Sequence, residues 1–256
     1  MARDRWLLLR GLTREVEHWG GFVPMLAAAV PDADVRALEL PGAGELRQLP
    51  WPGDVAAAME DVRARAGGRD GARTFVFGMS LGGMLTMEWA ARHPGELAGI
   101  VIGASSARDL SRPWQRMRPT ALPAVLGGRL RRDVAAREAA IVRVVTNRTE
   151  QARAVGARWT EIARTRPVSG AAARAQIVAA MGWNAPARLE VPALFVVGTT
   201  DRLVAASCSR ALARRYAAPL REHPTAGHDL STDEPRWLVD EIVAWRAGLE
   251  RRDRVG

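Results

Sequence analysis

Short apolar segments alternate with longer amphipathic segments along most of the chain. Runs rich in β-branched and aromatic residues predict buried strands at 6–10, 34–40, 73–77, 98–103, 193–198 and 219–223. Leu, Met and Ala at helical spacing predict helices near 21–30, 54–66, 81–92, 205–216 and 234–249. Because strands and helices alternate, we expect a parallel sheet with helices on both faces. The first strand leaves no room for a preceding hairpin, so we expect six parallel strands.

Residues 105–187 interrupt this alternation, because their pattern is helical only. It predicts three helices: one that follows Arg131-Arg132-Asp133 and ends at Val145, one over 149–164, and one that Ser169 caps and that ends at Met181. We therefore divide the chain into an α/β core, residues 1–104 and 188–256, and a helical insertion, residues 105–187.

Ser80 lies in the run Gly78-Met79-Ser80-Leu81-Gly82-Gly83, between a predicted strand and a predicted helix. A Gly-x-Ser-x-Gly motif in this setting is typical of a nucleophilic serine on a tight turn, the nucleophile elbow. Side chains two positions before and after such a serine would collide, and Gly78 and Gly82 remove that collision. The alternative is that Ser80 only caps the helix and the glycines serve packing.

A nucleophilic serine needs a base within hydrogen-bond reach, and the chain has four histidines. His18 lies beside apolar residues, which favours a core role, and His93 precedes a proline at a predicted helix end, as a C-terminal cap does. His228 is the favoured base, because its loop between the last strand and the last helix can reach back over the carboxyl edge of the sheet. His223 is the second candidate.

Asp201 is the favoured acid to orient His228, because it directly follows the predicted strand 193–198. Asp109, after the preceding strand, is the alternative acid. A purely structural role for Asp201, as a turn residue at the start of the next helix, also stays open.

The order Ser80, Asp201, His228 is the order of catalytic residues in the α/β-hydrolase superfamily, which the chain resembles. The segments that carry the resemblance are Phe77-Gly78-Met79-Ser80-Leu81-Gly82-Gly83-Met84, Gly198-Thr199-Thr200-Asp201-Arg202-Leu203-Val204 and Ala226-Gly227-His228-Asp229-Leu230. Residues 6–12 and 37–44 are similar in style to the family's first strands and turns. The resemblance implies an α/β-hydrolase fold with a mostly parallel six-stranded sheet and a helical cap insertion, which covers the nucleophile and shapes the substrate pocket.

The resemblance also implies an oxyanion hole, formed by the backbone N–H groups of Leu12 and Leu81. Loss of one such donor costs about 2.7–4 kcal/mol of transition-state stabilisation. The chain departs from the family pattern at Arg10, where histidine usually precedes Gly11. How this turn is braced, and whether Arg10 meets a substrate anion, are left open by the sequence.

The composition indicates the class of protein and the cellular location in which this chemistry would take place. Hydrophobic residues make up 48% of the 256 residues, as in a globular chain with a sizeable core. No stretch approaches about 18 apolar residues, so no membrane span is expected, and the run before Arg10 is too short for a secretory signal. Cys208 is the only cysteine, which excludes an internal disulfide. We expect a cytoplasmic location and no metal or other cofactor.

The positive charge of the chain is concentrated in the insertion. Residues 105–187 contain 15 arginines and five acidic residues, while the whole chain has a net charge of +9. The simpler interpretation is a solvated helical surface in a chain without lysine. The alternative is a surface that attracts an anionic substrate or an acidic acyl carrier protein. Nucleic acid is not expected, because aromatic residues are not interleaved with the basic ones.

Methionine and tryptophan residues near the catalytic turns and the insertion boundaries are candidates for an apolar acyl pocket. The candidates are Met25, Met79, Met84, Trp114, Met117 and Trp183. Met181, near Trp183, and Leu81, next to Ser80, are further apolar residues at the same places in the sequence. The alternative for each is ordinary core packing.

These features predict a serine hydrolase, like a carboxylesterase or thioesterase, that cleaves a carboxylic ester or thioester through an acyl-enzyme intermediate. An acyltransferase or an acyl-carrier thioesterase on the same site is the first alternative. A protein of another class, a non-catalytic ligand-binding relative on this scaffold, is the second. The acyl chain, the leaving group and the oligomeric state stay open.

Overall fold

The computed structural model describes residues 4–67, 71–125 and 133–253. Within them, six strands form one sheet: β1 Asp4–Leu9, β2 Ala33–Leu38, β3 Thr74–Met79, β4 Gly99–Gly103, β5 Ala193–Gly198 and β6 Leu220–His223. The strand order is β2-β1-β3-β4-β5-β6, and every neighbouring pair is parallel. The prediction of six parallel strands is therefore confirmed.

The first strand begins two residues earlier than its apolar run predicts. It includes Asp4 and Arg5, which are buried although they are charged. Asp4 is tolerated there because Arg73 and Arg246 each place a guanidinium nitrogen on its carboxylate, at 2.7 and 2.8 Å. A hydropathy pattern cannot detect a strand whose polar start is neutralised by residues distant in sequence.

Helices of the core lie close to their predicted bounds. They are α1 Phe22–Ala29, α2 Val55–Arg65, α3 Leu81–Arg92, α9 Ala206–Arg215 and α11 Pro235–Asp253, and a further short helix, α10 Leu230–Asp233, precedes α11. Between β4 and β5 lie α4 Pro113–Arg116, α5 Leu122–Val125, α6 Val134–Val145, α7 Thr149–Thr165 and α8 Gly170–Gly182. The four-residue helices α4, α5 and α10 are additional, because a single turn is too short to show helical periodicity. Arg131 and Arg132 lie outside the described residues.

Successive strand residues enter two different hydrophobic layers, as the alternation of side chains along a strand requires. Leu7 and Leu9 of β1 belong to the layer that contains α2, α3 and α9. Trp6 and Leu8 belong to the opposite layer, with α1 and α11. The sheet is thus covered on both faces, and the carboxyl ends of its strands are left as the edge at which loops gather.

Some arginines of residues 105–187 form ion pairs with acidic residues of the flanking segments. Arg166 pairs with Glu15 at 2.7 Å, and that carboxylate is almost fully buried. Arg148 pairs with Glu234 at 2.6 Å, and Arg158 with Glu17 at 2.8 Å. Arg158 and Glu17 are both about half exposed, so their pair contributes little to stability, but all three pairs join an arginine of residues 105–187 to an acidic residue outside that range.

The first turn of α3 lies unusually close to the end of β1. A Cβ atom on Gly82 would lie 2.6 Å from the carbonyl oxygen of Arg10 and closer still to that of Leu9. A Cβ atom on Gly78 would overlap the carbonyl oxygen of Gly82. The strand-to-helix turn can therefore close only with glycine at both positions, and Ser80 between them adopts φ 54°, a left-handed conformation that serine rarely adopts.

We expect the substitution Gly82→Ala to lower the free energy of unfolding by about 1–3 kcal/mol, because the added methyl group forces α3 away from β1. Urea denaturation of the two proteins measures the difference. Gly95→Ala is the matched control, since a Cβ atom there meets nothing within 4 Å. Equal stabilities for Gly82→Ala and wild type would contradict the close contact.

Candidate active site

Ser80 lies at the carboxyl edge of the sheet, between the end of β3 and the start of α3. Its backbone is fixed on both sides: its N–H donates to the carbonyl of Gly103 at 2.8 Å, and its carbonyl accepts from the Ser105 hydroxyl at 2.8 Å. The residue lines a cavity of about 350 Å³ together with His228. This edge is where open α/β sheets bind their ligands.

Asp201 and His228 form a buried pair at the same edge. The distance between Asp201 Oδ2 and His228 Nδ1 is 2.7 Å. The other carboxylate oxygen, Oδ1, accepts from the N–H groups of Leu203 and Val204 at 2.7 and 2.9 Å. Both oxygens of Asp201 are thus engaged, and the carboxylate orients the imidazole.

The charge of Asp201 determines the protonation behaviour of His228. Burial lowers the pKa of His228, but the carboxylates of Asp201 and Asp229 together raise it, and the net pKa lies above its ordinary value. Within the described residues, no hydrogen bond within 3.5 Å joins the Ser80 hydroxyl to His228. Such contacts are often long without a substrate and tighten in its complex.

Arg10 connects the turn after β1 to the residue that follows His228. Its guanidinium lies 2.6 Å from the Asp229 carboxylate, donates to the Ser231 hydroxyl at 3.0 Å, and stacks 4.7 Å from the ring centre of Trp19. Burial raises the pKa of Asp229, but Arg10, the Ser231 hydroxyl and His228 together lower it, and the net shift is downward. Arg10 therefore braces the turn after β1 through a buried ion pair with Asp229.

The turn at Gly11 and Leu12 lies directly beside Ser80. A Cβ atom on Gly11 would lie 3.1 Å from Ser80 Cβ, which leaves little room for a larger residue. Among the hydrogen bonds of the described residues, none uses the backbone N–H of Leu12. Leu81 is the first residue of α3, so its N–H has no acceptor within the helix. Two unused backbone donors therefore flank the serine.

Met79 and Met117 line the cavity, as predicted for pocket residues, but four other predicted pocket residues do not. Met84 and Trp183 are buried in the hydrophobic layer of α2 and α3, and Met25 packs on the opposite layer. Trp114 is 55% exposed, and the Arg112 guanidinium stacks on its ring. The same apolar side chains also suit cores and surfaces, and sequence proximity to Ser80 does not decide between these roles.

The apolar wall of the cavity comes from the helices between β4 and β5. It includes Val125, Ile141, Val145, Trp159, Ile162 and Ile177. A charged pair borders this apolar wall: Arg14 pairs with the buried Glu138 of α6 at 2.8 Å and stacks 4.5 Å from the ring centre of Trp159. Glu138 interrupts the apolar stripe of α6, and this interruption is the one signal in the sequence for the charged pair, which was not among the predicted site residues.

His18 also lines the cavity. Burial and the neighbouring guanidinium of Arg14 hold the pKa of His18 well below its ordinary value. The side chain is therefore neutral, and its Nδ1 lies 3.1 Å from the backbone nitrogen of Glu15. It is a buried wall residue, in agreement with the core role that its apolar neighbours favoured.

The alternative acid and base lie outside the cavity. Asp109 accepts from the N–H of Ala185 at 2.9 Å. His223 packs its ring against Trp237 and accepts from the N–H of Ala226 at 3.2 Å, while His93 contacts Glu60 at 2.7 Å. In the described part of the chain, no three His, Cys, Asp or Glu side chains are grouped to hold a metal ion, and no helix is long and apolar enough to cross a membrane.

Comparison with known proteins gives a family match over most of the chain. A family model described as the alpha/beta hydrolase family matches residues 6–241. The pimeloyl-[acyl-carrier protein] methyl ester esterase of Neisseria meningitidis serogroup B is 33% identical over 101 residues, which span 40% of this chain and only 36% of that relative.

Two solved structures are similar over nearly their whole length. The esterase RhEst1 from Rhodococcus sp. ECU1013 has a TM-score of 0.73 at 20% identity and covers 96% of this chain and 91% of its own. A hydrolase from Pseudomonas aeruginosa PA01 has a TM-score of 0.76 at 20% identity, with 94% and 89% covered. At this identity the likeness establishes the fold alone.

We expect Asp201→Asn to lower the pKa of His228, because the substitution removes the negative charge while burial, which acts in the opposite direction, remains. An NMR titration of the imidazole measures the shift. Asp109→Asn is the matched control and should leave this pKa unchanged. If the two variants shifted the His228 pKa equally, Asp201 would not be its charge partner.

Proposed function

The chain belongs to the alpha/beta hydrolase family, and we propose that it is a serine hydrolase that cleaves a carboxylic ester or thioester through an acyl-enzyme intermediate. The observation that carries the proposal is the buried Asp201–His228 pair, 2.7 Å apart, in the cavity that Ser80 also lines. The left-handed backbone of Ser80 adds support, since this strained turn presents the side chain of residue 80 at the tip of the elbow.

The proposed reaction follows from the contacts of each group. His228 uses Nδ1 for Asp201, which leaves Nε2 to take the proton of the Ser80 hydroxyl as that oxygen attacks the carbonyl carbon. The unused N–H groups of Leu12 and Leu81 receive the developing oxyanion. His228 then protonates the leaving alcohol or thiol, and afterwards activates the water that releases the acid.

The cavity favours an acyl group of modest size. Its volume of about 350 Å³ lies near the lower end of small-molecule sites, and its walls are largely apolar side chains of α5 to α8. In this proposal residues 105–187 act as the cap: they cover Ser80 and exclude bulk water from the acyl-enzyme. Transfer of the acyl group to an acceptor other than water would use the same site, as in an acyltransferase.

An acidic acyl carrier protein is the partner that the charge distribution favours. Four arginines on α6, α7 and α8 are exposed: Arg143, Arg153, Arg164 and Arg174. None of these four is among the insertion arginines that pair with acidic residues of the core. The relative from Neisseria meningitidis is named for a substrate carried on such a protein, which supports a carrier-bound ester or thioester as the substrate class.

Ser80→Ala and His228→Ala are each expected to lower kcat by several orders of magnitude with little change in stability, because they remove the nucleophile or its base. A screen of p-nitrophenyl esters and acyl thioesters of increasing chain length measures the loss, and a fluorophosphonate probe should label wild type but not Ser80→Ala. His223→Gln is the control and should keep wild-type activity. Equal labelling of wild type and Ser80→Ala would indicate instead that the protein is a non-catalytic ligand-binding member of its family.

We expect Arg153→Gln combined with Arg164→Gln to lower kcat/KM for a carrier-bound ester about three- to tenfold at low salt, because electrostatic steering is lost. A small neutral ester should be hydrolysed at the wild-type rate. Arg236→Gln, an exposed arginine of the core, is the control. An equal loss of kcat/KM for both substrates, or no loss for the carrier-bound ester at low or at high salt, would argue against an acidic partner.

A further inference from the structure

Gln176 of α8 is a buried amide that bridges two turns of the core. Only 1% of the residue is exposed. Its Oε1 accepts from the backbone N–H of Thr13 at 2.8 Å, and its Nε2 donates to the carbonyl of Pro41 at 3.1 Å. One side chain from the insertion thus reaches the turn after β1 and the turn that follows β2.

The first of these turns contains the proposed oxyanion donor. Thr13 directly follows Leu12 and has φ 56°, a left-handed conformation that threonine adopts only under constraint. The turn is closed by the N–H of Arg14, which donates to the carbonyl of Gly11 at 3.2 Å. Because the bond from Gln176 fixes the peptide that joins Leu12 to Thr13, it limits the rotation of the neighbouring peptide, whose N–H belongs to Leu12.

The packing of α8 supports this arrangement independently. Ala172 lies one helical turn before Gln176 on the same face of α8. A Cβ atom on Gly42 would lie 2.7 Å from Ala172 Cβ, so the helix lies directly on the turn that contains Pro41. The face of α8 formed by Ala172 and Gln176 therefore fits both turns closely, and the insertion is held at a fixed distance from Ser80.

The chemistry of the contact requires glutamine. The site presents one donor, the N–H of Thr13, and one acceptor, the carbonyl of Pro41, and a primary amide satisfies both at once. Glutamate of the same shape would accept from Thr13 but could not donate to Pro41 as a carboxylate. Methionine would fill the space and satisfy neither group.

We propose that Gln176 is a positioning residue, which sets the direction of the Leu12 N–H through Thr13 and so couples the insertion to the oxyanion hole. The inference rests on the proposed function, because it assigns Gln176 a part in stabilising the transition state of that reaction. In this inference the docking of the insertion, and not the core alone, determines the direction of the Leu12 N–H, in addition to the roles of Ser80, His228 and Asp201.

The test compares Gln176→Met and Gln176→Glu with Gln151→Met, an exposed glutamine of α7. For an ester that wild type hydrolyses, Gln176→Met should lower kcat about 10- to 100-fold, since a donor misplaced by about 1 Å has an effect of this size. KM should change less than about threefold, and Gln176→Glu should lie between Gln176→Met and wild type. The inhibition constant of a trifluoromethyl ketone, which mimics the tetrahedral intermediate, should rise in parallel with the loss of kcat/KM.

Hydrogen exchange of the Thr13 amide gives a second measurement that does not depend on turnover. The amide should be protected in wild type and in Gln151→Met, and should lose protection in Gln176→Met while the amides of β3 stay protected, which shows that the fold is intact. Wild-type kcat in Gln176→Met, or unchanged Thr13 protection, would overturn the inference. Failure of the proposed function would look different, since wild type would then show no Ser80-dependent turnover although Gln176 still protected Thr13.

Discussion

The close contact between the first turn of α3 and the end of β1 is the constraint on which the rest of the site depends. The helix and strand approach so closely that no Cβ atom fits at Gly78 or Gly82. In the tight turn between these glycines, Ser80 takes a left-handed backbone conformation. The same approach brings the turn at Gly11 against Ser80 and places the unused N–H of Leu12 on one side of it. A steric condition between a helix and a strand thereby determines where a nucleophile and its oxyanion donors would lie.

The segment between β4 and β5 is hydrogen-bonded to several loops of the proposed site. Arg118 donates to the carbonyl of Asp201 at 2.8 Å, and the N–H of Asp229 donates to the carbonyl of Val145 at 2.8 Å. With Gln176 at the oxyanion turn, this segment braces three loops of the proposed site: the oxyanion turn, the Asp201 loop and the His228 loop. Residues 105–187 therefore do more than form a pocket wall, and some of their arginines form ion pairs with acidic residues of the flanking segments.

Much of the architecture could be predicted from the sequence because it follows from local patterns. The strands are apolar or alternating, and the ends of parallel strands meet at one edge, so Ser80, Asp201 and His228 could be expected there from their places in the chain. The pocket could not be predicted in the same way, since its walls depend on how α5 to α8 fold over that edge. The ion pair between Arg10 and Asp229 joins residues 219 positions apart, and no local pattern contains such information.

A crystal structure of the protein after reaction with a fluorophosphonate tests most directly whether Ser80 attacks under an oxyanion hole formed by Leu12 and Leu81. We expect phosphorus bonded to Ser80 Oγ and the phosphoryl oxygen about 2.7–3.1 Å from both backbone nitrogens. Phosphorus attached to another residue would rule out Ser80 as the nucleophile, and a phosphoryl oxygen that points away from the Leu12 and Leu81 N–H groups would rule out this oxyanion hole.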